Sequence, residues 1–409
     1  MKGTVQFDGT MSESFPIQNG VKQGCVLAPT LFGIYFSVML SQAFGTSSEG
    51  VYLHSRSDGK LFNIARLKAK TKIRKVLVRE LLFADDAALV SHTESGLQSL
   101  VDSFSDACND FGLRISLTKT EIMSQGDTQD PIISIGEHRL ETVTSFTYLG
   151  RTVTSNLNLN TEINKRIGKA AGVMRKLRSR VWENSKLEVK TKIAVYRACV
   201  LSVLMYGSEC WTTYATQERT LNSFHLRNLR RILGIRWYHR VTNNEVLNTA
   251  GIDSINAFLT QRRLRWLGHV HRMDDGRLPK DILYSQLAVG TRSVGRPLLR
   301  YSDACKRDMR RGGVDVDDWE NVAPDRSAWR QLVNKSKDAV ETRRRLEDEA
   351  RRERRHGRHQ HSAENQVPPD RLHVCRGCNR DCGSRIGLWS HARSCHPSSR
   401  SSEDQVHSQ

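Results

Sequence analysis

The chain has 409 residues, enough for two or three domains, and its 63 lysines and arginines against 44 acids give a net charge of +19. Hydrophobic residues make up 38% and mean hydropathy is −0.51, which excludes a multi-pass membrane protein. Its length excludes a small disulfide scaffold, and the clustering of four of its nine cysteines between Cys375 and Cys395 points to a metal site instead.

Residues 1–23 read as a short β-hairpin turning at Asp8-Gly9. The start of the chain lacks the apolar core of a signal peptide. The uncharged run 25–44 is about as long as a membrane span. It holds Pro29, Gly33, Ser37, Ser41 and Gln42, so it reads as a buried helix from Pro29 to Phe44, with Pro29 in the first turn. Strands follow at 75–78 and 80–83, ending at Asp85-Asp86. Leu97, Leu100, Val101, Phe104 and Cys108 recur at helical spacing, and Gly112 closes that helix. Residues 113–117 alternate like a strand, and 146–150 read as another.

From Thr161 the pattern becomes helical. Ile163, Ile167, Ala170, Met174, Leu177 and Val181 form one stripe, with Lys165, Arg166, Lys169 and Arg175 expected to face outward. A second helix runs through Ile193, Tyr196, Val200 and Leu204, and a third from Gln217 to Leu233, stopped by Gly234. Residues 288–301 read as a loop, 341–361 as a charged helical linker, and the Ser/Gln-rich end after Pro397 as a disordered tail.

Charge changes abruptly along the chain. Residues 1–158 carry a net −1, whereas 159–340 hold 34 lysines and arginines against 18 acids. Such a step suggests a domain change and a polyanionic partner, since each neutralised phosphate releases counterions. Arginines interleave with Trp237, Tyr238 and Trp266, a composition suited to phosphate contact and base stacking. The competing reading puts those tryptophans in the core. His269 and His271, two apart, are left unassigned.

Two features carry chemistry. Phe83-Ala84-Asp85-Asp86 places adjacent carboxylates within an apolar run, costly to bury unless a cation compensates. The plain alternative is a solvated turn. Cys375-x2-Cys378-x12-His391-x3-Cys395 has tetrahedral Zn²⁺ spacing, with His396 the alternative to Cys395 and Cys382 a spare. Ile386, Leu388 and Trp389 are expected to form its mini-core. A module this short needs metal to fold.

Four stretches occur in order: Gln18-Asn19-Gly20-Val21-Lys22-Gln23-Gly24-Cys25-Val26-Leu27-Ala28-Pro29, then Phe83-Ala84-Asp85-Asp86, Gly112-Leu113-Arg114-Ile115-Ser116-Leu117-Thr118-Lys119-Thr120, and Phe146-Thr147-Tyr148-Leu149-Gly150. Together they resemble the reverse transcriptases of non-LTR (LINE-type) retrotransposons. The resemblance implies an α+β chain: a partial right-hand polymerase palm (1–155), helical thumb (156–215), basic helical post-polymerase segment (216–340), charged linker (341–370), zinc finger (371–397) and tail (398–409). It implies that Asp85 and Asp86 hold two Mg²⁺ ions, that Gln23 and Gly24 border the incoming dNTP, and that Lys119 lies near the triphosphate as proton donor. It further implies that 146–150 grip the primer. RNA template and DNA primer or target would meet Lys165, Arg166, Arg227, Arg230, Arg231, Arg262, Arg263 and Arg265. No membrane is involved, and the location is nuclear or cytoplasmic rather than secreted.

The departure is as informative as the match. The family's third metal-binding carboxylate, expected on an earlier strand, has no counterpart before Gln18, where Asp8 is the only Asp and sits in a turn. The chain therefore reads as the C-terminal portion of a longer polyprotein, with little or no polymerase activity alone. The alternative is a non-catalytic nucleic-acid-binding remnant with a zinc finger.

Overall fold

The computed structural model describes the chain except residues 1, 18–19, 21–23, 57, 69–70, 127–129, 291–294, 296, 365–372 and 396–409, and without the side chains of 68 and 358–364. Residues 1–341 form one compact unit and 342–409 a second.

The first unit opens with two nested pairs. Strand β1 (Lys2–Gly3) pairs with β4 (Phe15–Pro16), and β2 (Gln6–Phe7) with β3 (Thr10–Met11). The β2–β3 turn places Asp8 and Gly9 at φ 48° and 78°, as Asp-Gly favours. Helix α1 (Ala28–Phe44) has its proline in the first turn, where the missing N–H costs nothing. It packs on α2 (Glu94–Asp110) through Met39, Phe44, Leu100, Ala107 and Cys108. The Thr93 side chain caps α2 by accepting from the Gly96 N–H. Gly112 at φ 66° ends it, with the Leu113 N–H donated back to the Cys108 carbonyl at 2.7 Å.

That bond corrects one expectation. Residues 113–116 are irregular rather than a strand, and 117–119 form a 3₁₀ turn. Leu113 and Ile115 alternate because they pack against the α1–α2 core, not because a neighbouring strand pairs with them.

Between these helices lie β5 (Val51–Ser55), β6 (Arg74–Val78), β7 (Glu80–Phe83) and β8 (Asp86–Leu89). After α2 come short strands β9 (Glu121–Ile122), β10 (Ser134–Ile135), β11 (His138–Arg139) and β12 (Glu141–Thr142). The hairpin of β13 (Ser145–Tyr148) and β14 (Arg151–Thr154) then turns at Leu149 and Gly150, both at positive φ.

Helices dominate from here. They are α3 (Asn160–Lys176), α4 (Val189–Val195), α5 (Ser202–Leu204), α6 (Ala215–Ile232), α7 (Asn243–Ala250) and α8 (Ile255–His271). A π-helical turn (Tyr196–Leu201) joins α4 to α5. The predicted stripes converge on one core, in which Ile163, Ala170, Met174, Ile193, Tyr196, Val200, Leu204 and Trp211 are buried. Each fully buried aliphatic side chain contributes about 1.5–3 kcal/mol.

A second core joins α8 to α9 (Leu278–Tyr284), α10 (Tyr301–Arg311), α11 (Trp319–Val322) and the start of α12 (Arg326–Glu364). Leu61, from the first third of the chain, is buried in it. Strand β15 (Ser285–Leu287) pairs antiparallel with β5, making a three-stranded sheet in the order β15-β5-β6. The Arg66 guanidinium donates to the Tyr284 carbonyl at 2.9 Å beside this seam. The palm-like segment and the basic segment thus share a sheet and a core.

The second unit continues the charged helix α12 to Glu364, where a helical linker is expected, and ends in a small module with helix α13 (Arg385–Ala392). Among the described residues, no helix is long and apolar enough to cross a membrane.

Candidate active site, basic face and metal centre

The acidic pair sits at the tip of the β7–β8 hairpin. Phe83 pairs with Asp86 across a two-residue turn of Ala84 and Asp85. Ala84 adopts φ 52°, a left-handed conformation costing an L-residue about 1–2 kcal/mol. Both aspartates are exposed. The apolar flanks lie along the strands and the carboxylates project past them, so the expected burial penalty does not arise.

The hairpin base is anchored on both sides. The Arg79 guanidinium donates to the Phe44 and Ser47 carbonyls at 2.7 and 2.9 Å, capping α1, and lies 5.0 Å from the Phe44 ring centre. On the other side the Tyr148 hydroxyl donates to the Leu81 carbonyl at 2.9 Å, tying the β13–β14 hairpin to β7. Burial pushes the Tyr148 hydroxyl pKa up, and the negative charge of Asp86 adds to it. Tyr148 stands within the electrostatic reach of the acidic tip, a role the sequence motif held but did not single out.

Gly24 adopts φ 84°, a backbone that favours glycine, and open space surrounds its missing Cβ. Gln23 lies outside the described residues. Lys119 is exposed on its 3₁₀ turn. Among the described residues, no third carboxylate, histidine or cysteine joins Asp85 and Asp86 in a metal-holding group, and Asp8 does not complete one.

The arginines of the basic face divide into two kinds. Lys165, Arg227 and Arg265 are exposed as expected. Arg231 is also exposed, 3.6 Å from Glu183. Arg230 is half-buried and donates to the Val241 carbonyl and Asn243 Oδ1. Arg262 donates to the Met205 carbonyl at 3.0 Å and lies 3.8 Å from Glu209.

Arg166 and Arg263 are corrections. Arg166 is buried, 2.6 Å from Glu162, donates to the Gly150 carbonyl and stacks 4.5 Å from the Tyr206 ring centre. It fixes the β13–β14 turn to α3. Arg263 is 1% exposed and 2.7 Å from Asp308, with Glu218 at 3.8 Å and the Trp211 carbonyl and Thr213 as further acceptors. Burial pulls its pKa down, but Asp308 and Glu218 outweigh that and raise it. Both arginines are structural, because carboxylates from other turns and helices reach them.

The aromatic question resolves differently at each residue. Trp237 is 90% exposed and Tyr238 60%, on a 3₁₀ turn after α6, while Trp266 is half-buried. His271 pairs with the Tyr284 hydroxyl at 2.8 Å, a core contact rather than a metal site.

In the second unit Cys375, Cys378, His391 and Cys395 come together, their ligand atoms all within 4.8 Å of one another. Cys375 Sγ lies 3.5 Å from Cys395 Sγ, and Cys378 Sγ 3.0 Å from His391 Nε2. Backbone N–H groups of Gly377 and Cys378 hold the Cys375 thiol down to about 6. Two thiols from a knuckle, a helix histidine and a third thiol suit a tetrahedral ion. His396 lies outside the described residues, and Cys382 is not in the group. The expected mini-core is corrected: Ile386 is 84% exposed and Trp389 67%, with Arg393 4.1 Å over the Trp389 ring. The cluster, not apolar packing, is the centre of the module.

Residues 1–153 match the family model described as reverse transcriptase (RNA-dependent DNA polymerase). A transposon-derived protein of Caenorhabditis elegans is 26% identical over 270 residues, covering 63% of this chain and 95% of that one. The RNA-directed DNA polymerase from mobile element jockey of Drosophila melanogaster is 23% identical over 257 residues, 59% of this chain. These matches support a reverse transcriptase of the non-LTR retrotransposon type. The chain spans a quarter of the jockey polymerase's length and nearly all of the worm protein's. The family match covers the acidic hairpin and the β13–β14 hairpin, and ends before the helices that hold the basic face.

Proposed function

We propose that this reverse transcriptase chain binds nucleic acid through its helical segment but does not complete nucleotidyl transfer alone. The observation that carries the reading is the acidic hairpin. Asp85 and Asp86 stand exposed at a tight turn, and no third acidic ligand among the described residues joins them. Two Mg²⁺ ions, when bound, would activate the primer 3′-oxygen and stabilise the leaving pyrophosphate. Two carboxylates from adjacent residues are a short donor set for two ions, each of which keeps strict octahedral geometry. In this reading Arg79 and Tyr148 orient the hairpin, Gln23 and Gly24 border the dNTP position, and Lys119 faces the triphosphate.

The zinc reading stands beside it. Cys375, Cys378, His391 and Cys395 would hold one structural Zn²⁺, supplying the folding energy that the exposed Ile386 and Trp389 do not. RNA template and DNA primer or target are the expected partners, and the nucleus or cytoplasm the expected location.

Primer extension on an RNA template with Mg²⁺ tests the first reading. Neither the chain nor its Asp85→Asn form should incorporate nucleotide, while both shift a primer–template in a gel. Extension by the unaltered chain that vanishes in Asp85→Asn overturns it. Elemental analysis should find one zinc per chain, and a value near zero removes the zinc assignment.

A further inference from the structure

One face of α8 looks into a cavity that no part of the acidic site uses. Phe258, Arg262, Arg265, Trp266 and His269 recur at helical spacing and line it. The opposite wall comes from the π-helical turn, α5 and the residues just after it, with Arg197, Met205 and Glu209 in the lining. Its volume is about 470 Å³, within the range of pockets that hold a nucleotide-sized ligand.

The lining is chemically specific. Three guanidiniums face one carboxylate. Arg197 donates to the Gly251 carbonyl at 3.3 Å and Arg262 to the Met205 carbonyl, so both are held in place by backbone. Arg265 is exposed and makes no hydrogen bond or ion pair with a described residue. Its charge repels that of Arg262 one turn away on the same face. An anion between them relieves that repulsion. Trp266 and His269 lie beside these charges with ring centres 5.3 Å apart, tilted by 45°.

We propose that this pocket takes one unstacked nucleotide of a single strand, its base against Trp266 and Phe258 and its flanking phosphates on Arg197, Arg262 and Arg265. The proposal rests on the reading that the helical segment binds nucleic acid. A base within a duplex is paired and stacked and does not enter such a recess. A single strand offers a free aromatic face and a phosphate on either side of it, matching both parts of the lining.

The test uses the full chain loaded with zinc, and fluorescein-labelled 12-nucleotide strands of RNA and DNA alongside the matching duplex. Arg265→Ala should weaken single-strand binding about five- to thirtyfold and duplex binding less than about twofold. A 4-thiouridine strand bound to the unaltered chain should crosslink within residues 258–269. The crosslink needs no variant, so it stands even where a substitution disturbs folding. A larger effect on RNA or on DNA supports the proposal and names the strand. Equal losses for strand and duplex, or crosslinks confined to other segments, overturn it. If the unaltered chain binds no nucleic acid at all, the broader reading falls with the pocket. Binding that survives Arg265→Ala unchanged, with crosslinks elsewhere, removes the pocket alone.

Discussion

Helices α1 and α3 are both 17 residues long, yet they treat apolar side chains in opposite ways. Helix α3 buries Ile163, Ala170 and Met174 along one stripe and turns lysines outward. Helix α1 buries Met39, Ala43 and Phe44 near its end and leaves Leu31 (47%), Phe32 (42%), Ile34 (58%) and Val38 (54%) exposed. A helix apolar on nearly all sides belongs in an interior. Among the described residues only one side of α1 is covered. The helical segment is closed around its own cores; the palm-like segment keeps an apolar surface open beside its acidic hairpin. The closed cores and the basic surface therefore sit in one region, and the acidic hairpin in the other.

Substitutions that separate the two regions sharpen this contrast. Arg263→Ala removes the nearer charge partner of the buried Asp308, leaving Arg307 at 3.7 Å, and should cost about 3–5 kcal/mol, read as a fall in the denaturant midpoint. Asp85→Asn, at an exposed turn, should change stability by less than about 0.5 kcal/mol. Equal effects would erase the distinction between closed and open segments.

The next effect is set by pH. His225 lies buried between the Tyr196 hydroxyl and the Asp253 carbonyl, and burial drops its pKa from 6.5 to about 4. Between those values the unfolded chain binds the proton and the folded chain does not. Stability from this group is complete above about pH 6.5 and declines as pH falls toward 4, by about 3 kcal/mol in all. His225→Gln should flatten that part of the stability–pH curve. An unchanged slope would show that another group governs it.

Smaller effects come from the palm-like segment. Ala84→Gly should relieve the left-handed turn and stabilise by up to about 1 kcal/mol, seen in thermal melts. Leu31→Ser on the open face of α1 should shift stability by no more than about 0.5 kcal/mol while reducing binding of an apolar dye. A loss of several kcal/mol would mean that this face is covered after all.

How much of this was legible in the sequence depended on how local each signal was. The Asp8-Gly9 turn, the Phe83–Asp86 hairpin, the stripe of α3 and the extent of α6 rest on neighbours within a few positions, and the structure keeps them. The Cys/His cluster was legible because its four residues have a spacing that few other functions need. Arg166 read as outward-facing and Arg263 as a nucleic-acid contact because charge alone does not show which carboxylates surround them. Glu218 and Asp308 come from α6 and α10, and no pattern within α8 reveals them. Residues 113–117 read as a strand because alternation in a short run also fits an irregular segment lying on a core. The pairing of β15 with β5 had no sequence signal, being only three residues long.

That pairing sets a schedule for the nascent chain. Arg66 and the Tyr284 carbonyl that completes its contact are 218 residues apart in sequence. At roughly 5–20 residues per second, the ribosome needs about 10–45 s to deliver β15 after β5 has emerged. During that interval one edge of β5 stays open, a template for pairing with another emerging copy. On a polysome crowded with identical chains, the yield of folded protein becomes a race between elongation and strand exchange, and slowed translation between codons 55 and 285 is where that race would be lost.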